Sequence, residues 1–215
     1  MRWINRGHEY DQAYERMAEK KSFYLFGAGD YGRQFVEIFS SEIQIKGYID
    51  NDSSKQGQII NGMRCYSLEE VTLNNDEGII ITMSQYARVM PTEQLRQRGY
   101  IKNEHFFDIE EFVSVYHVYK YDKVYFSAIS FLPSTVCNLK CRHCLNFNPF
   151  AEKFYVREWG ELIRDLDLFF SCVDHIMLFH VSGGEPMLYK HTADLIEYID
   201  KKYGDRIDTL RTVTN

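Results

Sequence analysis

The chain has 215 residues, 45% of them hydrophobic, with a net charge of −6 and a sequence pI near 5.7. That length predicts one or two domains with enough apolar material for a core in each, and the acidic balance argues against a nucleic-acid or anionic-membrane surface. No apolar run reaches the about 20 residues of a membrane span, and Met1-Arg2-Trp3-Ile4-Asn5-Arg6 carries no apolar signal core, so a cytoplasmic protein is expected.

Residues 8–20 place Tyr10, Ala13, Tyr14, Met17 and Ala18 on one helical face. A short apolar strand over 22–26 follows, then Gly27-Ala28-Gly29-Asp30-Tyr31-Gly32 and a helix with Tyr31, Phe35, Ile38 and Phe39 at helical spacing. Strands are predicted over 46–50 and, fully buried, over 78–82. A helix is predicted over 84–98, with Pro91 starting a new turn, and another over 106–119. This alternation of strand and helix predicts an α/β fold with a parallel sheet. A boundary is placed near residue 120, giving domains over 1–120 and 121–215.

Gly27, Gly29 and Gly32 match G-x-G-x-x-G between a strand and a helix, and Asp50 ends the next strand about 20 residues on. Backbone N–H groups at a helix start suit phosphates, and an acid at that distance suits ribose hydroxyls. The wider pattern adds Arg33, Gly47-Tyr48-Ile49-Asp50-Asn51-Asp52, Lys55, Gly57 and Asn61-Gly62. Over 20–105 it resembles the small Rossmann-like domains of polysaccharide-biosynthesis enzymes, including the N-terminal domains of sugar acetyltransferases. That resemblance implies a nucleotide or nucleotide sugar as ligand, with the three glycines as the phosphate turn and Asp50 on the ribose or base. The competing expectation is a scaffold whose loop binds nothing.

In the second unit, a strand over 124–132 feeds Cys137-Asn138-Leu139-Lys140-Cys141-Arg142-His143-Cys144. A helix over 155–171 with Trp159, Leu162, Ile163, Leu166 and Phe169 on one face comes next. A strand over 176–181 then runs into Ser182-Gly183-Gly184-Glu185-Pro186. A helix over 188–203 and a strand over 209–214 complete the unit. The chain has five cysteines, an odd number with three clustered, which favours metal or catalysis over a disulfide framework. Three thiolates are one short of the usual four-cysteine complement of a cubane cluster, and an open metal position marks reactive sites. Cys65 and Cys172 are expected to be small buried hydrophobes. His180 precedes the glycine turn and is left without a role.

C-x3-C-x2-C after one strand, Gly-Gly-Glu-Pro after the next, and Thr214-Asn215 after the third resemble the radical S-adenosylmethionine superfamily over 123–215. The resemblance implies the first three βα units of a partial TIM barrel. It also implies that Cys137, Cys141 and Cys144 ligate a 4Fe-4S cluster whose open iron is chelated by S-adenosyl-L-methionine. Gly183, Gly184 and Glu185 would lie beside the methionine ammonium, and His143 would pack near the cofactor. The implied reaction is reductive cleavage of the sulfonium to start hydrogen abstraction from a small-molecule substrate. An electron donor such as flavodoxin or ferredoxin would serve it, and a homo-oligomer is allowed.

Such a core ordinarily has about six strand–helix units, so three explanations compete: a fragment of a longer protein, two chains pairing half-barrels, or a non-catalytic remnant. The second functional reading is a non-catalytic nucleotide-sugar-binding protein. The third is a zinc-stabilised interaction protein in which His143, His175 or His180 adds a fourth ligand, although the 3-then-2 spacing suits paired C-x2-C knuckles less well.

Overall fold

The computed structural model describes residues 8–144 and 146–214. Its α/β chain separates into two compact units, one running up to Tyr119 and the other from Lys120 onwards.

The N-terminal unit begins with α1 (Asp11–Glu19), β1 (Ser22–Phe26), α2 (Asp30–Phe39) and β2 (Gln44–Ile49). It continues with β3 (Ile59–Ile60), β4 (Met63–Tyr66), β5 (Glu77–Ile81), α3 (Val89–Gln97), β6 (Phe106–Asp108) and α4 (Ile109–Tyr121). The six strands form one sheet in the order β3-β4-β2-β1-β5-β6, parallel except for the β3–β4 hairpin. β1 and β5 lie at its centre and are buried along their whole length. This is why, after Ser22 and Glu77 at their starts, they read as continuous apolar runs rather than as alternating ones.

Alternation along β1 sends its side chains to two different cores. Tyr24 and Phe26 pack with Ile79, Ile81 and Leu95 of α3. On the opposite face, Phe23 meets Phe112 of α4 with ring centroids 5.2 Å apart, and Phe112 also contacts Phe35 of α2. Helices therefore cover both faces of this sheet, as an all-but-parallel sheet requires.

Three local departures from the sequence reading have simple causes. The predicted helix over 106–119 starts as strand β6, where Phe106 and Phe107 are buried beside β5 and run without a gap into α4. The helix predicted from 84 begins at Val89, so Pro91 falls in its first turn, where a missing N–H costs nothing. The β3–β4 hairpin turns on Asn61 and Gly62, both at positive φ, the geometry that Asn-Gly supplies to a two-residue turn.

The C-terminal unit contains β7 (Tyr125–Phe131), α5 (Trp159–Phe170), β8 (His175–Val181), α6 (Thr192–Tyr203) and β9 (Ile207–Thr212). The sheet order is β7-β8-β9, all parallel. Two successive crossovers of the same hand put both helices on one face. Leu162 and Leu166 of α5 and Leu195 and Ile199 of α6 pack there on Phe179 and Val181, with Ile129, Phe131 and Leu210 beside them. Asp167 clasps the two helices by accepting hydrogen bonds from the hydroxyls of Tyr198 and Tyr203, both 2.7 Å, and from Lys202 at 2.9 Å.

Cys65 is fully buried, as expected, but Cys172 is only half-buried and sits 3.6 Å from the Ser171 hydroxyl, at the end of α5. No helix among the described residues is long and apolar enough to cross a membrane.

Candidate functional site

At the carboxyl end of the C-terminal sheet, the glycine turn after β8 is joined to the stem of the cysteine loop after β7. Ser182 N–H donates to the Phe131 carbonyl at 2.8 Å, Gly184 N–H to Ser134 at 3.0 Å, and Glu185 N–H to Val136 at 2.8 Å. The two backbones are so close that side chains have no space. A Cβ on Gly183 would lie 2.4 Å from the Ser134 carbonyl oxygen, and one on Gly184 2.2 Å from that of Val136. Sequence reasoning reserved these glycines for close approach to a ligand. The structure gives both a second demand, the approach of the cysteine-loop stem.

The loop is closed at its base. Thr135 N–H donates to Tyr155 at 2.8 Å, Tyr155 N–H to the Thr135 hydroxyl at 2.7 Å, and Arg157 N–H to Pro133 at 3.0 Å. On its far side, the Asn146 amide donates to the Gly183 carbonyl. Cys137 and Cys144 are half-buried, Cys141 and His143 are exposed, and the cysteines are free thiols. The Leu139 N–H points at the Cys137 sulfur, 3.4 Å away. The three thiols share one loop but are not gathered: among the described residues no three His, Cys, Asp or Glu side chains stand close enough to hold one metal ion.

Glu185 is 6% exposed. Its carboxylate accepts from the Met187 N–H at 3.1 Å and from the Thr214 hydroxyl at 2.5 Å. A buried carboxylate held by fixed donors is a ready partner for a cationic group. Asn215, the other residue of the third motif, lies outside the described residues.

In the N-terminal unit the fingerprint glycines have unequal reasons to be glycine. Gly27 has φ of +123°, and a Cβ there would sit 2.8 Å from the Thr82 carbonyl. A Cβ on Gly32 would lie 2.0 Å from the Gly27 carbonyl, so α2 presses directly on the loop. A Cβ on Gly29 would meet no atom within 4 Å. Packing makes no demand there, and the start of α2 is open to a ligand.

Asp50, expected on a ribose or base, is 8% exposed and turned inward. It accepts from the N–H groups of Ala28 and Asp52, each at 2.9 Å, and from Lys55 at 3.0 Å. Burial alone would raise its pKa, but the Asp52 and Ala28 N–H groups and Lys55 hold the carboxyl below its ordinary value. One loop N–H that a phosphate could use is thus occupied by the acid itself.

Two residues that sequence reasoning gave no part, Ser130 and Arg211, and one it left without a role, His180, line up in register across β7, β8 and β9. A family model described as C2185-like, N-terminal, matches residues 19–106. The match runs from the end of α1 to the start of β6 and stops short of the cysteine loop. No curated protein matches the chain.

Proposed function

We propose that the C-terminal unit is the first part of a radical S-adenosylmethionine domain, attached to a Rossmann-like domain that binds a nucleotide or nucleotide sugar. The observation that carries the reading is the direct hydrogen-bonded junction of the glycine turn with the stem of the cysteine loop, beside buried Glu185. Three parallel strands with both helices on one face support a segment of a partial TIM barrel, whose other face would look inward.

The donor set fits the implied group. Three free thiols in one loop supply soft ligands for three irons of a 4Fe-4S cluster, and Glu185 supplies an anion where the S-adenosylmethionine ammonium would bind. When bound, the reduced cluster would supply the electron for sulfonium cleavage. The residues of this chain bind and place: the cysteines hold the cluster, the Gly183-Gly184 turn fixes the loop stem, and Glu185 orients the ammonium. His143, exposed on the loop, contributes surface near the cofactor. The electron would come from a small donor such as flavodoxin or ferredoxin. In the N-terminal domain the open space at Gly29 supports phosphate approach, with Gly27 and Gly32 shaping the turn and Asp50 bracing it.

Anaerobic reconstitution of the full chain with ferrous iron and sulfide tests the reading. About four irons per chain and broad absorbance at about 400 nm are expected, with 5′-deoxyadenosine released on adding dithionite and S-adenosylmethionine. Stoichiometric zinc with no cluster would overturn it.

A further inference from the structure

The face of the β7–β8–β9 sheet away from α5 and α6 carries a row of polar side chains. Ser130 pairs with His180, and His180 with Arg211, across three adjacent parallel strands. Their neighbours Ile129, Phe131, Phe179, Val181 and Leu210 belong to the helix-side core, so strand alternation sends Ser130, His180 and Arg211 to the opposite face. The row lies one residue short of Phe131, Val181 and Thr212, the ends of the three strands. It therefore lies at the carboxyl end of the sheet, the end from which Glu185 and the cysteine loop follow and at which parallel sheets bind ligands.

These side chains are not consumed by the fold. The buried Nε2 of His180 has no hydrogen-bond partner. Such an orphan ordinarily costs stability and calls for an explanation. Arg211 is exposed and has neither an ion pair nor a hydrogen bond among the described residues, and Ser130 is likewise exposed and unengaged. Ala128, in the row beneath Ser130, is exposed as well.

We propose that Ser130, His180 and Arg211 form a recognition row for an oxyanion, a carboxylate or phosphate group of the substrate bound on this face. Arg211 supplies the charge and a planar pair of donors. His180 Nε2–H and the Ser130 hydroxyl each add one further donor in line. Burial and the nearby Arg211 charge lower the His180 pKa, which favours the neutral imidazole, with its N–H taken to be on Nε2. The assignment names the substrate class for the proposed enzyme and rests on that reading for the word substrate, but the row's affinity for an anion does not depend on a cluster.

The test uses the full chain without iron. Imidazole 1H–15N spectra are followed while inorganic phosphate, or separately acetate, is added, with the His180 signal identified by its loss in His180→Gln. A saturable shift of that signal is expected, and Arg211→Gln should weaken it about tenfold, the loss of one charge-assisted hydrogen bond. Saturation by phosphate alone would assign a phosphorylated substrate, and by acetate alone a carboxylate one. An unmoved His180 signal with both probes, or equal affinity in folded Arg211→Gln, would overturn the proposal. So would a reconstituted Arg211→Gln protein that loses S-adenosylmethionine affinity while its anion affinity stays the same. If no cluster forms yet the phosphate or acetate shift persists, the radical reading falls and the anion row stands.

Discussion

The Thr214 hydroxyl donates to Glu185 Oε1 at 2.5 Å, tying the turn after β8 to the residue two places beyond the end of β9. The part proposed for Glu185 is to orient an ammonium, which requires a carboxylate that keeps its direction when the ligand is absent, and this bond provides that hold. Thr214→Ala is expected to weaken S-adenosylmethionine binding to the reconstituted protein by about threefold to tenfold. Glu185→Gln should weaken it more, and equilibrium dialysis of both variants ranks them. Equal affinity for Glu185→Gln and the unmutated chain would remove Glu185 from the site.

Each cysteine of the loop should be needed for iron. Cys137→Ala, Cys141→Ala and Cys144→Ala are each expected to abolish the absorbance at about 400 nm after reconstitution, whereas Cys65→Ala and Cys172→Ala should retain it. Iron analysis per chain gives the comparison. A triple variant that still takes up a full complement would show that the ligands lie elsewhere.

The glycines divide into two classes by what surrounds them. Gly184→Ala and Gly32→Ala force a Cβ to 2.2 Å and 2.0 Å from carbonyl oxygens and should destabilise their units by about 2–3 kcal/mol. Gly29→Ala meets nothing within 4 Å and should change stability by less than about 0.5 kcal/mol. It should nonetheless reduce nucleotide binding, because the added methyl lies where the phosphate would approach. Urea unfolding and a nucleotide titration on the same samples separate the two effects.

The Asp167 clasp sets a pH dependence in the C-terminal unit. Burial would raise this carboxyl, but hydrogen bonds from Lys202, Tyr203 and Tyr198 bring it down to about 2. Because the folded value lies below the unfolded one, the clasp contributes fully above about pH 4 and is lost as pH falls towards 2. Asp167→Asn should cost about 1 kcal/mol near neutral pH, allowing for its partial exposure, and should flatten that acid limb. An unchanged acid limb in the variant would show that other carboxylates dominate.

The sequence made some parts of this molecule plain and hid others for physical reasons. Past their first residues, Ser22 and Glu77, β1 and β5 are unbroken apolar stretches because both faces of the central sheet are covered. β6 was hidden since its Phe106 and Phe107 abut α4 and serve equally well as the start of a helical face. The hairpin at 59–66 has strands too short to show a period. In the site, the cysteine spacing and the paired glycines were visible because few other residues can replace them. The row of Ser130, His180 and Arg211 was not visible. Its members are ordinary residues far apart in the chain, brought level only by sheet register. Asp50 was visible as an acid at the right place, but its attachment to Ala28 and Lys55 depends on how the 50–58 loop folds back.

The pairing of 133–135 with 155–157 separates two jobs that many small metal-binding domains combine. In those, the metal is the keystone and its removal unravels the chain. Here the stem is already fastened, and the sheet and helices bury their own core. A cluster of the proposed kind would have to gather only the short span that carries the thiols, where the entropic cost of closure is small. If the proposed cluster binds, its oxidative loss would therefore leave a folded apoprotein able to take up a new one.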